Sequence, residues 1–120
     1  MTAEKAAARP LARVHTIWEI VLHIAATQEL VIRRLQGDST PLSPEQDWPS
    51  VANTGEEEWL SSLTALKRSY SELCQALSQV SDSLLDRAIL PGHSSLYATL
   101  HGLVQHNLYH ACQIALLKKA

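Results

Sequence analysis

An all-α helical bundle is the fold class the sequence predicts, on three observations. Three long stretches place apolar residues at helical spacing, clusters of Pro, Gly and Ser separate them, and no alternating strand pattern or internal repeat competes. The 120 residues suit one domain, 1–120, with a single core. Hydrophobic residues at 46% and charged ones at 18% describe a globular chain rather than a disordered one.

The opening stretch, Thr2 to Pro10, is expected to hold a short helix that stops before Pro10. The first long helix is predicted from about Thr16 to Gln36. Arg33 and Arg34 sit in its last turn, where cations offset the negative helix end, and Gly37 is the stop. Its Ile17-Trp18-Glu19-Ile20-Val21-Leu22-His23-Ile24-Ala25-Ala26 run is apolar around most of the circumference, which makes it a central helix buried on more than one side. Asp38 to Asn53 reads as a loop broken by Pro41, Pro44 and Pro49, with one short turn at Ser43-Pro44-Glu45-Gln46. A capping box of Thr54 with Glu57 is expected to start the second long helix near Gly55 or Glu56. Trp59, Leu63, Leu66, Tyr70, Leu73, Leu77 and Val80 form its predicted seam. Asp82 to Asp86 is expected to make one turn, and Pro91-Gly92 a bend. Ser94 or Ser95 then caps a last helix that runs to about Lys118.

A net charge of −2 with scattered Lys and Arg offers no electrostatic footprint for nucleic acid. No apolar run approaches a membrane span and no signal-peptide core is present, so a cytoplasmic protein with neither a membrane nor a nucleic-acid partner is expected. Cys74 and Cys112 match no zinc or disulfide spacing and are expected to be packing residues in a reducing compartment. P-loop, GxGxxG, GxSxG and HExxH patterns are absent, and neither Ser94-Ser95 nor Cys112 has a base at fixed spacing.

The histidines carry the chemistry. His106 and His110, four residues apart, lie on one face of the last helix with Leu96, Leu100, Leu103, Ile114 and Leu117, so both imidazoles are expected to turn inward. His101 points the other way. His23 interrupts an apolar run, and a buried imidazole there needs partners for its ring nitrogens. Three neutral imidazoles from two helices would hold one divalent ion and leave coordination positions open, as in catalytic sites. Without a metal the same residues would read as hydrogen-bonded core histidines. Imidazole ligands suit zinc or nickel first, with iron or manganese as alternatives. Glu19 is the candidate carboxylate to orient His23, and Tyr109 and Gln113 flank the pair as candidate substrate contacts.

The segments His15 to Ala26 and Leu100 to Ile114 (Leu-His-Gly-Leu-Val-Gln-His-Asn-Leu-Tyr-His-Ala-Cys-Gln-Ile), with Asp47-Trp48-Pro49 between them, resemble the DinB-like (damage-inducible) superfamily. The resemblance implies an up-down-down-up four-helix bundle, often dimeric. It also implies a metal held by one histidine of an early helix and two of HxxxH, which fall on His23, His106 and His110. Cys112 stands where relatives usually carry Gly, and Thr27 where they carry an aromatic residue. Relatives include S-transferases that use low-molecular-weight bacterial thiols. The resemblance thus implies a bacterial metal-dependent enzyme of thiol S-transferase or hydrolase type with a small-molecule thiol substrate; the alternative is a non-catalytic bundle in which the histidine site is structural. Relatives also carry a full helix ahead of the segment matching Thr2 to Pro10, so the N-terminal helix reads as truncated here. The apolar flank this leaves is expected to be covered by a homodimer built from the first and second long helices.

Overall fold

The computed structural model describes residues 1–120 and is all-helical: α1 (Ala3–Ala7), α2 (Ile17–Leu35), α3 (Pro44–Asp47), α4 (Glu56–Ser78), a 3₁₀ turn at Asp82–Leu84 and α5 (Leu96–Leu117). None of these helices is long and apolar enough to cross a membrane. The molecule is elongated, 45 × 24 × 24 Å, as expected when three long helices lie side by side. Every other α-helix packs on α2, and its buried residues Ile17, Trp18, Ile20, Val21, Ile24, Ala25 and Val31 wrap much of its circumference. The expectation of a central helix follows directly from that all-round apolar sequence.

Both ends of α2 are fixed by local chemistry. At its start the Thr16 hydroxyl accepts from the Glu19 amide while the Glu19 carboxylate accepts from the Thr16 amide, a reciprocal capping box. At its end Gly37 adopts φ +90°, and the amides of Gly37 and Asp38 return to the carbonyls of Arg34 and Arg33. Only a residue without a Cβ takes that backbone conformation cheaply. The short helix α1 buries Ala3 and Ala6 against the core and is tied to α4 by the Ala3 amide, which donates to Glu56 at 2.7 Å.

Helix α4 starts at Glu56, as expected, but without the predicted capping box. Its N-cap is Gly55, one residue later than the Thr54 capping box requires. That shift puts Glu58 rather than Glu57 at the third helical position, where it accepts from the Asn53 side chain, while the Asn53 oxygen accepts from the Gly55 amide. The seam is corrected too. Tyr70 is 60% exposed and Ser69, 1% exposed, takes its place between buried Trp59 and Leu73, with half-buried Ser62, Leu63, Leu66 and Leu77 completing the line. The two serines tolerate the interior because each is bonded: Ser62 accepts from the Trp18 indole at 2.9 Å and Ser69 from the Gln28 amide at 2.7 Å. Trp18 also meets Trp59 edge to face at 5.3 Å.

Ser95 caps α5, its hydroxyl accepting from the Ala98 amide. Pro91-Gly92 makes the expected bend, with Gly92 at φ +79°. Helix α5 turns Leu96, Leu103, His110 and Leu117 inward but leaves Tyr97, Val104, Leu108, Tyr109 and Leu116 exposed. The uncovered apolar surface therefore lies chiefly on α5, with Leu60 and Tyr70 exposed on α4, whereas the dimer expectation placed it on α2 and α4. Both cysteines are exposed rather than packed, because each falls on the outer face of its helix.

Candidate metal centre

Helices α2 and α5 and the turn after α3 converge on the three histidines. His23 and His110 are buried, at 6% and 7% exposure, and His106 is half-buried between them. Ring centroids lie 4.8 Å apart for His23 and His106, 4.8 Å for His23 and His110, and 4.5 Å for His106 and His110. One ring nitrogen from each lies within 4.8 Å of the others. The Nε2 atoms of His23 and His106 are only 2.9 Å apart. His101 is exposed and stacks loosely on Tyr97, which agrees with the face assigned to it from spacing.

Each of the three imidazoles has its Nδ1 engaged by an oxygen. His23 Nδ1 faces the Asp47 backbone carbonyl at 2.7 Å and its carboxylate at 3.1 Å. A carbonyl oxygen only accepts, so Nδ1 of His23 carries the proton and Nε2 presents its lone pair. His106 Nδ1 meets the Asn107 side-chain oxygen at 3.1 Å, and His110 Nδ1 meets the Gln113 side-chain oxygen at 2.6 Å. No buried side-chain nitrogen or oxygen lacks a partner.

The third wall comes from the loop. The Trp48 indole is sandwiched between His15, at 3.7 Å and 7°, and His23, at 3.8 Å and 5°, and it meets His110 edge-on at 5.8 Å. Helix α3, held by its own capping box of Ser43 and Gln46 with Pro44 in its first turn, delivers Asp47 and Trp48 to this position. Arg34 braces the start of the loop by donating to the carbonyls of Asp38 and Thr40.

Glu19 does not orient His23. Its carboxylate is occupied at the start of α2 by the Thr16 amide, by Arg9 at 2.7 Å and by His15 at 3.3 Å. The side chain lies a full turn before His23, where cap and cation compete for its oxygens. Burial pushes this carboxyl up, but the Thr16 amide, the Arg9 guanidinium and His15 together hold it below the usual carboxylate range. The group that does orient His23 is Asp47, for which the sequence offered only the Asp47-Trp48-Pro49 string. Gln113 contacts His110 itself. Tyr109 stands exposed at the rim, its ring 5.2 Å from His110.

The electrostatics favour neutral imidazoles. Burial lowers the pKa of His23, against the opposing pull of the Asp47 carbonyl and carboxylate. Burial likewise lowers that of His110, against the opposing Gln113 bond. Converging imidazole nitrogens, with His23 and His110 biased toward the neutral form, are the donor set a late divalent metal takes.

No curated protein and no solved structure matches the chain. The family model of the DinB superfamily matches residues 1–114, which takes in every helix named above except the last residues of α5. A match over nearly the whole length, with the three histidines gathered as the motif spacing predicts, makes this chain a member of the DinB superfamily.

Proposed function

We propose that the protein binds one divalent metal ion through Nε2 of His23, His106 and His110, and acts as a metal-dependent enzyme on a small thiol. The observation that carries this reading is the common orientation of the three rings, each giving Nδ1 to an oxygen acceptor and keeping Nε2 for the shared centre. The Nε2 atoms of His23 and His106 lie 2.9 Å apart, close enough to share one proton in the metal-free chain or one cation in its place. Oxygen acceptors behind ligating histidines are the usual outer shell of a metal site.

A bound divalent ion supplies Lewis acidity, which lowers the pKa of a thiol or water that reaches it. The chain's own groups provide the rest. Three histidines fill only part of a coordination sphere, so a reactant has room. Trp48 covers the loop side and excludes water there, whereas half-buried His106 and exposed Tyr109 mark the side from which a small reactant enters. Zinc or nickel suits three imidazoles and a soft thiolate. Metal analysis of protein purified without a histidine tag is expected to give one ion per chain, and thiol transfer is expected with low-molecular-weight bacterial thiols. Protein free of metal after exposure to zinc and nickel would overturn the site; metal without transfer or hydrolysis would leave a structural centre.

The second reading, a non-catalytic bundle that self-associates, is favoured by one observation. Between Leu96 and Leu117 helix α5 contains no Asp, Glu, Lys or Arg, and five of its large apolar side chains are 58–73% exposed. Such an uncharged stripe is unusual on a monomer surface, and a second copy of the chain is its proposed occupant, in an isologous contact. Light scattering at micromolar concentration is expected to give a dimer. A monodisperse monomer overturns this reading.

A further inference from the structure

Beneath the histidines a line of polar side chains crosses the bundle from α4 through α2 to α5. The Ser69 hydroxyl donates to the Leu66 carbonyl at 2.9 Å. The Gln28 amide nitrogen donates to Ser69 Oγ at 2.7 Å and approaches the same carbonyl at 3.4 Å. Gln28 Oε1 in turn accepts from the Asn107 amide nitrogen at 3.3 Å, and Asn107 Oδ1 faces His106 Nδ1 at 3.1 Å. Gln28 is 3% exposed and Ser69 1%, so water has little access to replace a lost bond at this end of the row, whereas Asn107 and His106 are half-buried.

The direction of the row follows from its anchor. A backbone carbonyl only accepts, so the Ser69 proton and the Gln28 NH₂ end belong at the Leu66 side. Gln28 then has only its oxygen left for α5. An oxygen there selects the NH₂ end of Asn107, which leaves the Asn107 oxygen for His106. That oxygen favours a proton on Nδ1 of His106, and an imidazole protonated at Nδ1 presents a lone pair at Nε2 once an ion replaces the proton shared with His23 Nε2 at 2.9 Å. Reversing Gln28 or Asn107 alone would set donor against donor or acceptor against acceptor where they meet, a mismatch that is costly because Gln28 is buried.

We infer that Gln28 and Asn107 are positioning residues for the metal centre: anchored at Ser69 and Leu66 of α4, they fix the tautomer of His106 so that its Nε2 is the metal-ligating atom. This rests on the three-histidine metal site proposed above and assigns work to residues that do not touch the ion. It also accounts for a glutamine buried in the middle of an otherwise apolar helix face. An apolar residue at position 28 would pack there with no desolvation cost, and it would leave Asn107 free to turn over.

The test uses the full chain and zinc as the probe. Asn107→Leu keeps the volume and removes the acceptor; zinc affinity is expected to fall about 10–100-fold. Asn107→Asp keeps an oxygen toward His106 but sets its other oxygen against Gln28 Oε1, so it is expected to lower the urea midpoint of zinc-free protein while binding zinc within about 3-fold of the unaltered protein, rescuing the affinity that leucine loses. Gln28→Met, one bond further away, is expected to cost about 3–10-fold, a smaller loss than that of a direct partner. In the zinc-loaded protein, nitrogen NMR of the histidine rings is expected to show a slowly exchanging Nδ1 proton on His106, present in Asn107→Asp and absent in Asn107→Leu. Urea unfolding of the zinc-free variants separates stability from affinity. Equal zinc affinity for Asn107→Leu and the unaltered protein, or losses as large for Asn107→Asp as for Asn107→Leu, would overturn the positioning role while leaving the metal site standing. An unaltered protein that binds no zinc or other divalent ion would overturn both.

Discussion

Replacing Trp48 with alanine tests whether the loop is part of the metal centre or merely passes over it. The change removes two ring stacks, at 3.7 Å from His15 and 3.8 Å from His23, and an edge contact at 5.8 Å with His110. At about 0.5–1.5 kcal/mol for each aromatic pair, the two stacks amount to about 1–3 kcal/mol. The indole is half-buried, and its lost apolar burial adds about 1 kcal/mol. The expected destabilisation of metal-free protein is therefore about 2–4 kcal/mol, read as a lower urea midpoint at unchanged slope. Trp48→Phe keeps a ring between the imidazoles and is expected to recover about half. Zinc affinity is expected to fall about 10-fold in Trp48→Ala, because the indole sets the plane of a ligating ring. A double-mutant cycle with His15→Ala isolates the outer stack, expected to couple by about 0.5–1.5 kcal/mol. An alanine variant with stability within about 0.5 kcal/mol of the parent, below the expected value of even one stack, and with unaltered zinc affinity would refute the idea that Trp48 walls the site.

Four further outcomes are expected. His106→Ala and His110→Ala each abolish stoichiometric metal binding, whereas His101→Ala, on the outer face, does not; equal losses in isothermal titration would refute the face assignment. His23 and His110 have pKa values lowered by burial, so the folded protein binds fewer protons than the unfolded chain between the folded values and the ordinary imidazole value of about 6.5. Stability of metal-free protein is therefore full above that value and is lost as pH falls through the folded values, and metal is released over the same interval; a urea midpoint flat across that window counts against it. Cys74 and Cys112, both exposed, are expected to react with a maleimide in the folded protein, and mass spectrometry that finds either unmodified until urea is added would contradict the packing described. Val104→Lys, placing a charge on the uncharged outer face of α5, is expected to shift the proposed dimer to monomer in light scattering without unfolding it.

Legibility from sequence followed the physics of each segment. Helix α2 was readable because its apolar residues, capping threonine and Gly37 agree with one another. The inward turn of His106 and His110 was readable because spacing of four fixes a common helical face and the inward leucines mark which face it is. The outer surface of α5 was not, since Tyr97, Val104, Leu108 and Leu116 are as apolar as the buried residues and periodicity cannot tell inside from outside on such a helix. Ser62 and Ser69 were missed for the converse reason: polar side chains enter the core when Trp18 and Gln28 supply partners from another helix. Asp47 escaped because its contact with His23 joins a loop to a helix 24 residues away. Glu19 sat at the right helical spacing to serve His23, but spacing alone does not reveal that cap and cation already claim its oxygens.

The connection between α2 and α4 is far longer than joining two neighbouring helices requires; about 2–8 residues is common in bundles. Residues 36–55 spend that length on a self-capped turn and three prolines, braced at their start by Arg34 of α2, and so stiffen the chain that brings Asp47 and Trp48 to His23. The route of the backbone and the environment of the ligands are thus separable in the genetic sense. A short flexible replacement for this segment would preserve the pairing of α2 with α4 and take away Asp47 and Trp48 together. Selection acting on the loop alone has in consequence a means to retune the ion's surroundings while the three ligands, and the helices that carry them, stay untouched.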